Sequence, residues 1–367
     1  MNIRSIAGPM TAFWLVMGQP FPSMAEEAPS PGFDISLTSA GDSRFPEVSW
    51  HGYFEFEYLD AEEKAPTFDM HKITVWMGVK LSQAAFVSSE VEYEHSPSIS
   101  GSGAGAGKIK LDSAQLRLTP WESSAAWFGL FYVPFGIEYH SYPGHKNRFV
   151  TRPKVMKGGG VIQGTWSDVG AGASISAGPG ALDVYIVNGD ARNGGIARDT
   201  DEGGNDAKTL GARFSLNNLA PGLDLGASYA GGKWDTEGKL ASSRLGAHLK
   251  VDLGASAGLP LAPLFIAEYV EGKDERAATD GNDLEVGGYY AIAGISPFPW
   301  LQLSLRHGAW NSGKVSNGKD NTETSFGAAW TVSANLMAKA EYQTASLAGG
   351  DQAETKDLIA IQLVANW

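Results

Sequence analysis

KITVWMGVKL, Lys72 to Leu81, alternates without a break. Ile73, Val75, Met77, Val79 and Leu81 fall on one side of an extended chain, and Lys72, Thr74, Trp76, Gly78 and Lys80 on the other. Successive side chains of a strand point to opposite faces, so the stretch predicts a β-strand with one apolar and one polar face. The pattern recurs from Val48 onward, in segments of about ten residues divided by turn residues. In LASSRLGAHLKVD, Leu240 to Asp252, the set Leu245, Ala247, Leu249 and Val251 opposes Arg244, Gly246, His248 and Lys250. In PWLQLSLRHGAW, Pro299 to Trp310, Leu301, Leu303 and Leu305 oppose Gln302, Ser304 and Arg306.

Two-sided strands build two architectures. A soluble sandwich buries the apolar faces in a dry core. An outer-membrane barrel turns them to lipid and keeps its polar faces around a watery lumen. Three features favour the barrel. First, the N-terminus has the form of an export signal. Arg4 supplies the positive start, Ser5 to Gly18 the apolar centre, and Ser23-Met24-Ala25 the small residues before a cleavage site. Gly8-Pro9 and Gln19-Pro20 argue against a buried helix there. The expected division is a signal peptide over 1–25, a short periplasmic segment over 26–47 and a barrel over 48–367. Second, aromatics fall near strand ends (Trp50, Tyr58, Trp127, Trp166, Tyr290, Trp300, Trp310), where an interfacial girdle sits. Third, connections alternate in length. Short turns stand at Leu81 to Ala84, Pro120 to Glu122, Gly178 to Gly180, Asn217 to Gly222, Pro297 to Pro299 and Ser333 to Asn335. Long polar loops stand at His95 to Gly107, Gly189 to Asp206, Gly272 to Asp283 and Asn311 to Asn321. A bacterial barrel sorts its connections in this way.

The last segment, DLIAIQLVANW, places Ile359, Ile361, Leu363 and Ala365 on one face with Trp367. A closing strand that ends on an aromatic resembles the C-terminal signal of outer-membrane proteins, where Phe is commoner. An ordinary edge strand that stops at Trp is the plainer alternative. The segments amount to about 16 antiparallel strands, even in number because both ends should lie in the periplasm; about 14 or about 18 keep that parity. Val161 to Ala177 reads as one long strand with an irregularity at Ser167-Asp168, since a turn there would put a long basic loop on the short-turn side.

Bulk composition agrees. The chain has 367 residues, 43% hydrophobic and 19% charged, with 46 Gly and no Cys. That apolar fraction supports burial, so the chain is not of disordered type. Beyond the N-terminus no apolar run reaches the length of a transmembrane helix. Without disulfides, stability must come from a large core or from closure of a sheet. Thiolate metal sites and Cys nucleophiles are excluded. A net charge of −13 gives no footprint for nucleic acid.

One segment runs against that charge. FYVPFGIEYHSYPGHKNRFVTRPKVMKGGG, Phe131 to Gly160, begins as a strand, breaks at Pro134-Phe135-Gly136, and then collects Lys146, Arg148, Arg152, Lys154 and Lys157 against Glu138. Proline cannot donate to a sheet ladder, and Pro134 followed by Gly136 lets the chain leave the wall. Long loops in compact folds are usually functional. A wide barrel stays open unless something narrows it. Folded inward, this loop would set its basic groups at the narrowest point, where field lines focus.

FYVPFG, the Arg-containing run into GGVIQG, and LDVYIVNGD together resemble the phosphate-selective porins (O and P type) of Gram-negative bacteria. The matching residues are Pro134, Phe135, Gly136, Gly160, Val161, Asn188 and Gly189. The resemblance implies a 16-stranded homotrimeric porin whose third loop folds inward. The chain departs from that family in having few Arg. Its expected lumen wall is mixed, with Lys72, Lys80, Arg117, Arg213, Arg244, Lys250 and Arg306 on one side of the balance. Glu55, Glu57, Glu90, Glu92 and Glu94 stand on the other. Any single one of these is most simply solvated wall.

Other motifs fail. GSGAGAGK, Gly101 to Lys108, lacks the spacing of a phosphate-binding loop, with Ser102 for the first Gly and Ile109 after the Lys. DTDEGGND, Asp199 to Asp206, lacks the closing Glu of a calcium loop. The seven His show no paired ligand spacing, so no metal or cofactor is expected. Ser242 and His248 share a strand face but sit about 20 Å apart, too far for catalysis. The expected function is passive diffusion of small hydrophilic solutes through an outer-membrane porin, in contact with lipid and lipopolysaccharide, with a weak anion preference that extends to phosphate on the resemblance. A barrel acting as adhesin, structural element or partner-binding surface is the alternative, and a lipid-acting enzyme the third.

Overall fold

The computed structural model describes residues 45–95, 107–138, 146–157, 160–162, 164, 166–189, 206–254, 259–277, 281–313, 321–347 and 357–367. The expected signal peptide, most of the expected periplasmic segment, and nearly all of the 101–108 and 199–206 motifs lie outside these residues.

Sixteen strands follow one another. They are β1 (Glu47–Ala61), β2 (Thr67–Ser82), β3 (Ala85–Glu94), β4 (Lys108–Trp121), β5 (Ser124–Tyr132), β6 (Ser167–Ala177), β7 (Gly180–Val187) and β8 (Thr209–Ala220). Then come β9 (Leu223–Lys233), β10 (Ala241–Asp252), β11 (Leu264–Asp274), β12 (Leu284–Phe298), β13 (Leu301–Asn311), β14 (Asn321–Ser333), β15 (Leu336–Ser346) and β16 (Asp357–Asn366). Each pairs antiparallel with the next, and β16 returns to β1, so the sheet is a closed barrel. Gly52 and Trp367 exchange backbone hydrogen bonds of 3.1 and 3.0 Å where the ends meet. Closure removes the edges at which another chain could pair, and it stands in for the missing disulfides.

The alternation has its expected structural meaning. On β13, Leu303 and Leu305 are exposed while Ser304 and Arg306 are buried. On β16, Ile359, Ile361 and Leu363 are exposed while Ala360, Gln362 and Val364 are buried. One face of the cylinder is therefore apolar and open, and the face it encloses carries the polar groups.

Three features differ from the expectation. The strand expected from Val161 starts later: β6 begins at Ser167. Asp168, fully buried, fixes that start by accepting from Trp166 Nε1 (3.0 Å), Val169 N (2.8 Å) and Gly189 N (2.8 Å). Of the expected aromatic girdle, Trp127, Trp166, Tyr290 and Trp310 are buried on the enclosed face, and only Trp50 and Trp300 are exposed. The exposed aromatics also include Phe68, Trp121, Phe298 and Trp330, which the sequence reading did not name as girdle residues, and Trp367, which it set on the apolar face. Finally, the β10–β11 connection, residues 253–263, is long although it lies at the end that carries the two-residue turns.

Candidate functional site

The segment between β5 and β6 leaves the wall at Val133-Pro134-Phe135, as the Pro-Gly break predicts. Gly136 has φ +69°, a left-handed conformation that glycine adopts without strain. A Cβ there would fall 1.7 Å from Glu268 Oε1. From this point the segment bonds to the enclosed face of the wall, strand after strand. Gly136 N donates to Ser228 Oγ on β9 (3.0 Å) and Ile137 N to Glu268 Oε1 on β11 (3.2 Å). Thr151 N and Oγ1 donate to Glu341 on β15 (2.7 and 2.8 Å), and Lys154 N donates to Glu323 on β14 (2.7 Å). Arg244 Nε on β10 donates to Val161 O (2.8 Å).

Apolar packing reinforces these bonds. Phe135, Ile137, Phe149, Val155, Met156, Val161 and Ile162 form one buried cluster with Ile266, Val270, Tyr290, Ile292 and Trp310 of the wall. Gly327 admits Phe149: a Cβ on that glycine would lie 2.7 Å from the ring. Each fully buried apolar side chain of this kind contributes roughly 1.5–3 kcal/mol.

Arg306 on β13 is the hub. It is fully buried. Nη1 donates to Thr151 O (2.8 Å), and Nη2 donates to Thr151 Oγ1 (2.7 Å), Ser325 Oγ (3.1 Å) and Glu341 Oε1 (3.1 Å). The guanidinium lies 4.6 Å over the Phe149 ring. Gln343 joins the group by donating to Thr151 Oγ1 (3.1 Å) and Glu323 Oε2 (3.0 Å). A second buried group holds the start of the segment, where the Tyr290 hydroxyl reaches both Glu138 Oε2 (3.2 Å) and Glu268 Oε2 (3.0 Å). Burial pushes the Glu138 carboxyl above its ordinary range, against the opposing pull of Arg152, Arg306 and Arg148.

The basic residues singled out from sequence separate into different places. Arg152, Lys154 and Lys157 line a cavity of about 390 Å³ together with Lys64, Thr151 and Gln343. Lys146 and Arg148 are part-buried and do not line it. Arg244 is buried and bidentate to Asp274 (2.8 and 3.1 Å), so it and Arg306 serve as anchors for the segment instead of open wall. Lys72 pairs with Glu92 (2.9 Å), Arg213 with Asp183 (3.7 Å) and Lys250 with Asp224 (3.5 Å). Arg117 lies over Trp127 (5.6 Å) and Lys80 over Phe45 (5.3 Å). Glu90 is part-buried, whereas Glu55 and Glu57 are buried beside His71.

The sequence reading missed Glu323, Glu341, Gln343 and Glu268. Glu323 and Ser325, like Glu341 and Gln343, stand two apart on polar strand faces, a pattern shared by any wetted wall. What sets them apart is the segment bonded to them, and periodicity does not report that. The reading also expected no metal ligands, because it sought them by spacing along the chain. The fold gathers Glu55, Glu57 and His71 from two strands, with one ligand atom of each within 4.8 Å of the others.

No protein-family model matches the chain, and no curated protein is similar to it in sequence. Solved structures do match. Salmonella typhi OmpF, in complex with daunomycin, superposes with a TM-score of 0.64 at 12% identity, covering 88% of this chain and 98% of that one. The outer membrane channel DcaP of Acinetobacter baumannii gives 0.60 at 10% identity, covering 90% and 100%. An anion-selective porin from Comamonas acidovorans gives 0.58 at 12% identity, covering 88% and 99%. At such identities the likeness is one of fold: a closed sixteen-stranded antiparallel barrel of the kind found in bacterial outer-membrane channels.

Proposed function

We propose that the protein is a passive diffusion channel of a Gram-negative outer membrane, exported on residues 1–25 and working as a homotrimer. One observation carries the reading. The β5–β6 segment is bonded to the enclosed face of seven consecutive strands, β9 to β15, in a barrel whose other face is apolar. A segment held along the enclosed face in that way would narrow the lumen, as a constriction does. The likeness to proteins described as a channel and an anion-selective porin supports the same function.

The solute class is small, hydrophilic and weakly anionic. Arg152, Lys154, Lys157 and Lys64 share one cavity, while Glu323 and Glu341 spend their oxygens on the segment's backbone and on Arg306. Phosphate is the narrower expectation and rests on the motif resemblance alone. Planar-bilayer recording tests the proposal. Purified protein should give discrete conductance steps, with a reversal potential in a salt gradient that favours anions. Neutral replacement of Arg148, Arg152 and Lys154 should move that potential toward zero. Absence of steps would favour an adhesin or structural barrel. Steps with an unmoved potential would remove the basic residues from the constriction.

A further inference from the structure

Outside the segment and its anchors, one cluster on the enclosed face has the makings of a ligand site. Glu55 and Glu57 stand two apart on β1 and so share a face. His71 is out of phase with them: Lys72, Thr74 and Trp76 of β2 are buried on the enclosed side, so regular alternation would send His71 outward with Ile73 and Val75. The ladder slips here. Glu55 pairs with Lys72 but Glu57 with Asp69, so Met70 and His71 together oppose Phe56. A bulge of this kind re-aims a side chain. It brings His71 Nδ1 to 2.8 Å from both Glu55 Oε2 and Glu57 Oε1.

Those two short approaches are charge contacts without the direction of a good hydrogen bond. Nδ1 is buried with no partner of proper direction, so neither oxygen occupies the line along which the ring nitrogen donates or ligates. Glu55 Oε1 is likewise buried without a hydrogen-bond partner among the described residues, on a side chain only 1% exposed. Gln362 Nε2 donates to Glu57 Oε1 (2.6 Å) and fixes that carboxylate. Two ammonium groups stand near the carboxylates: Lys72, which also pairs with Glu92 at 2.9 Å, and Lys339, whose Nζ also donates to Phe149 O at 3.4 Å.

We propose that Glu55, Glu57 and His71 form a binding site for a divalent first-row transition cation on the inner wall of the barrel. Two carboxylate oxygens and one imidazole nitrogen suit ions of the zinc type. Ligand atoms about 2.0–2.2 Å from such an ion lie roughly 3–3.5 Å from one another, so atoms already gathered within 4.8 Å need only small side-chain rotations. The ion fills the direction left open at Nδ1 and gives Glu55 Oε1 a charge to face. Three protein ligands leave a coordination position for water. Gln362 acts as a positioning residue through Glu57.

The full chain, purified in detergent and stripped with chelator, is titrated with Zn(II) by calorimetry. One equivalent should bind, and Glu55→Gln and His71→Gln should each weaken binding by more than about tenfold. No binding, or an affinity unchanged from that of the unsubstituted chain in both variants, overturns the site. Co(II) provides a second measurement on the unsubstituted chain, independent of how the variants fold. A visible spectrum of four- or five-coordinate Co(II) supports the assignment, and the spectrum of the aqueous ion overturns it. Neither readout involves conduction, so this site and the channel stand or fall separately.

Discussion

Arg306 concentrates the chemistry of this barrel at one residue. Its guanidinium presents several donors in a fixed plane, and the wall and the segment use them together: Thr151 from the segment, Glu341 and Ser325 from the wall. Lysine would offer a point charge without that fork. Removing the cation leaves Glu341 and Glu323 buried without their guanidinium partner, since Arg306 Nη2 also lies 3.6 Å from Glu323. Arg306→Ala should therefore destabilise the barrel by about 3–5 kcal/mol. Urea unfolding in detergent measures it, and a loss below about 1 kcal/mol, the range of an exposed pair, would contradict the role given to Arg306. The same variant should raise single-channel conductance, because Thr151 loses two of its bonds to the wall. Gly136 makes the complementary point, since its missing Cβ lets the segment's backbone reach Glu268.

At the scale of elements, the segment is held by two latches with different chemistry. The Arg306 latch is ionic. The other is built from Glu138, Glu268 and Tyr290, where a single phenol hydroxyl faces two buried carboxyl groups. One phenol proton cannot serve both, so the arrangement is most favourable when a carboxyl holds a proton of its own. Burial raises the Glu138 carboxyl above its ordinary value of 4.5. A raised acid contributes stability that is fully present below the unfolded value and is lost as pH rises through the folded one. The segment should accordingly be held more tightly in acid. Conductance noise recorded upward from about pH 4.5 should grow in the wild type and grow less in Glu138→Gln, which keeps a neutral, hydrogen-bonding group while Glu268 still titrates. A variant with the wild-type pH profile would exclude Glu138 from the latch.

The whole molecule is an inside-out arrangement. Phe265, Leu305, Phe326 and Ile361 lie on the open face, while Arg306, Glu323 and Gln362 are enclosed. Every strand but the eight-residue β7 has 9 to 16 residues, enough to cross a hydrocarbon layer when tilted. Leu305 lies midway along β13 on the open face, so Leu305→Arg should cost about 2–4 kcal/mol in a bilayer. Refolding into lipid vesicles under urea measures it. A neutral effect there, or recovery of the mature chain as a soluble monomer without detergent, would mean that this face does not meet lipid.

Much of this was legible from residues alone. The apolar faces of Ile73 to Leu81 and of Ile359 to Leu363, the short turns, and the break at Pro134-Phe135-Gly136 are local properties with a period of two, and local physics fixes them. The strand limits near Ser167 were not legible. Asp168 begins β6 because Trp166 and Gly189 donate to it, and Gly189 comes from the far end of the following hairpin. Trp127, Tyr290 and Trp310 look like girdle residues in a linear reading, yet the segment gives them an apolar neighbourhood inside. The sequence by itself determined that the strands have a wet and a greasy side and that a basic loop interrupts them. Only the tertiary structure decided which polar groups hold that loop, which basic residues share a cavity, and that His71 meets Glu55 and Glu57. Those are meetings between strands, set by closure and by a register slip, and one-dimensional periodicity carries no record of either.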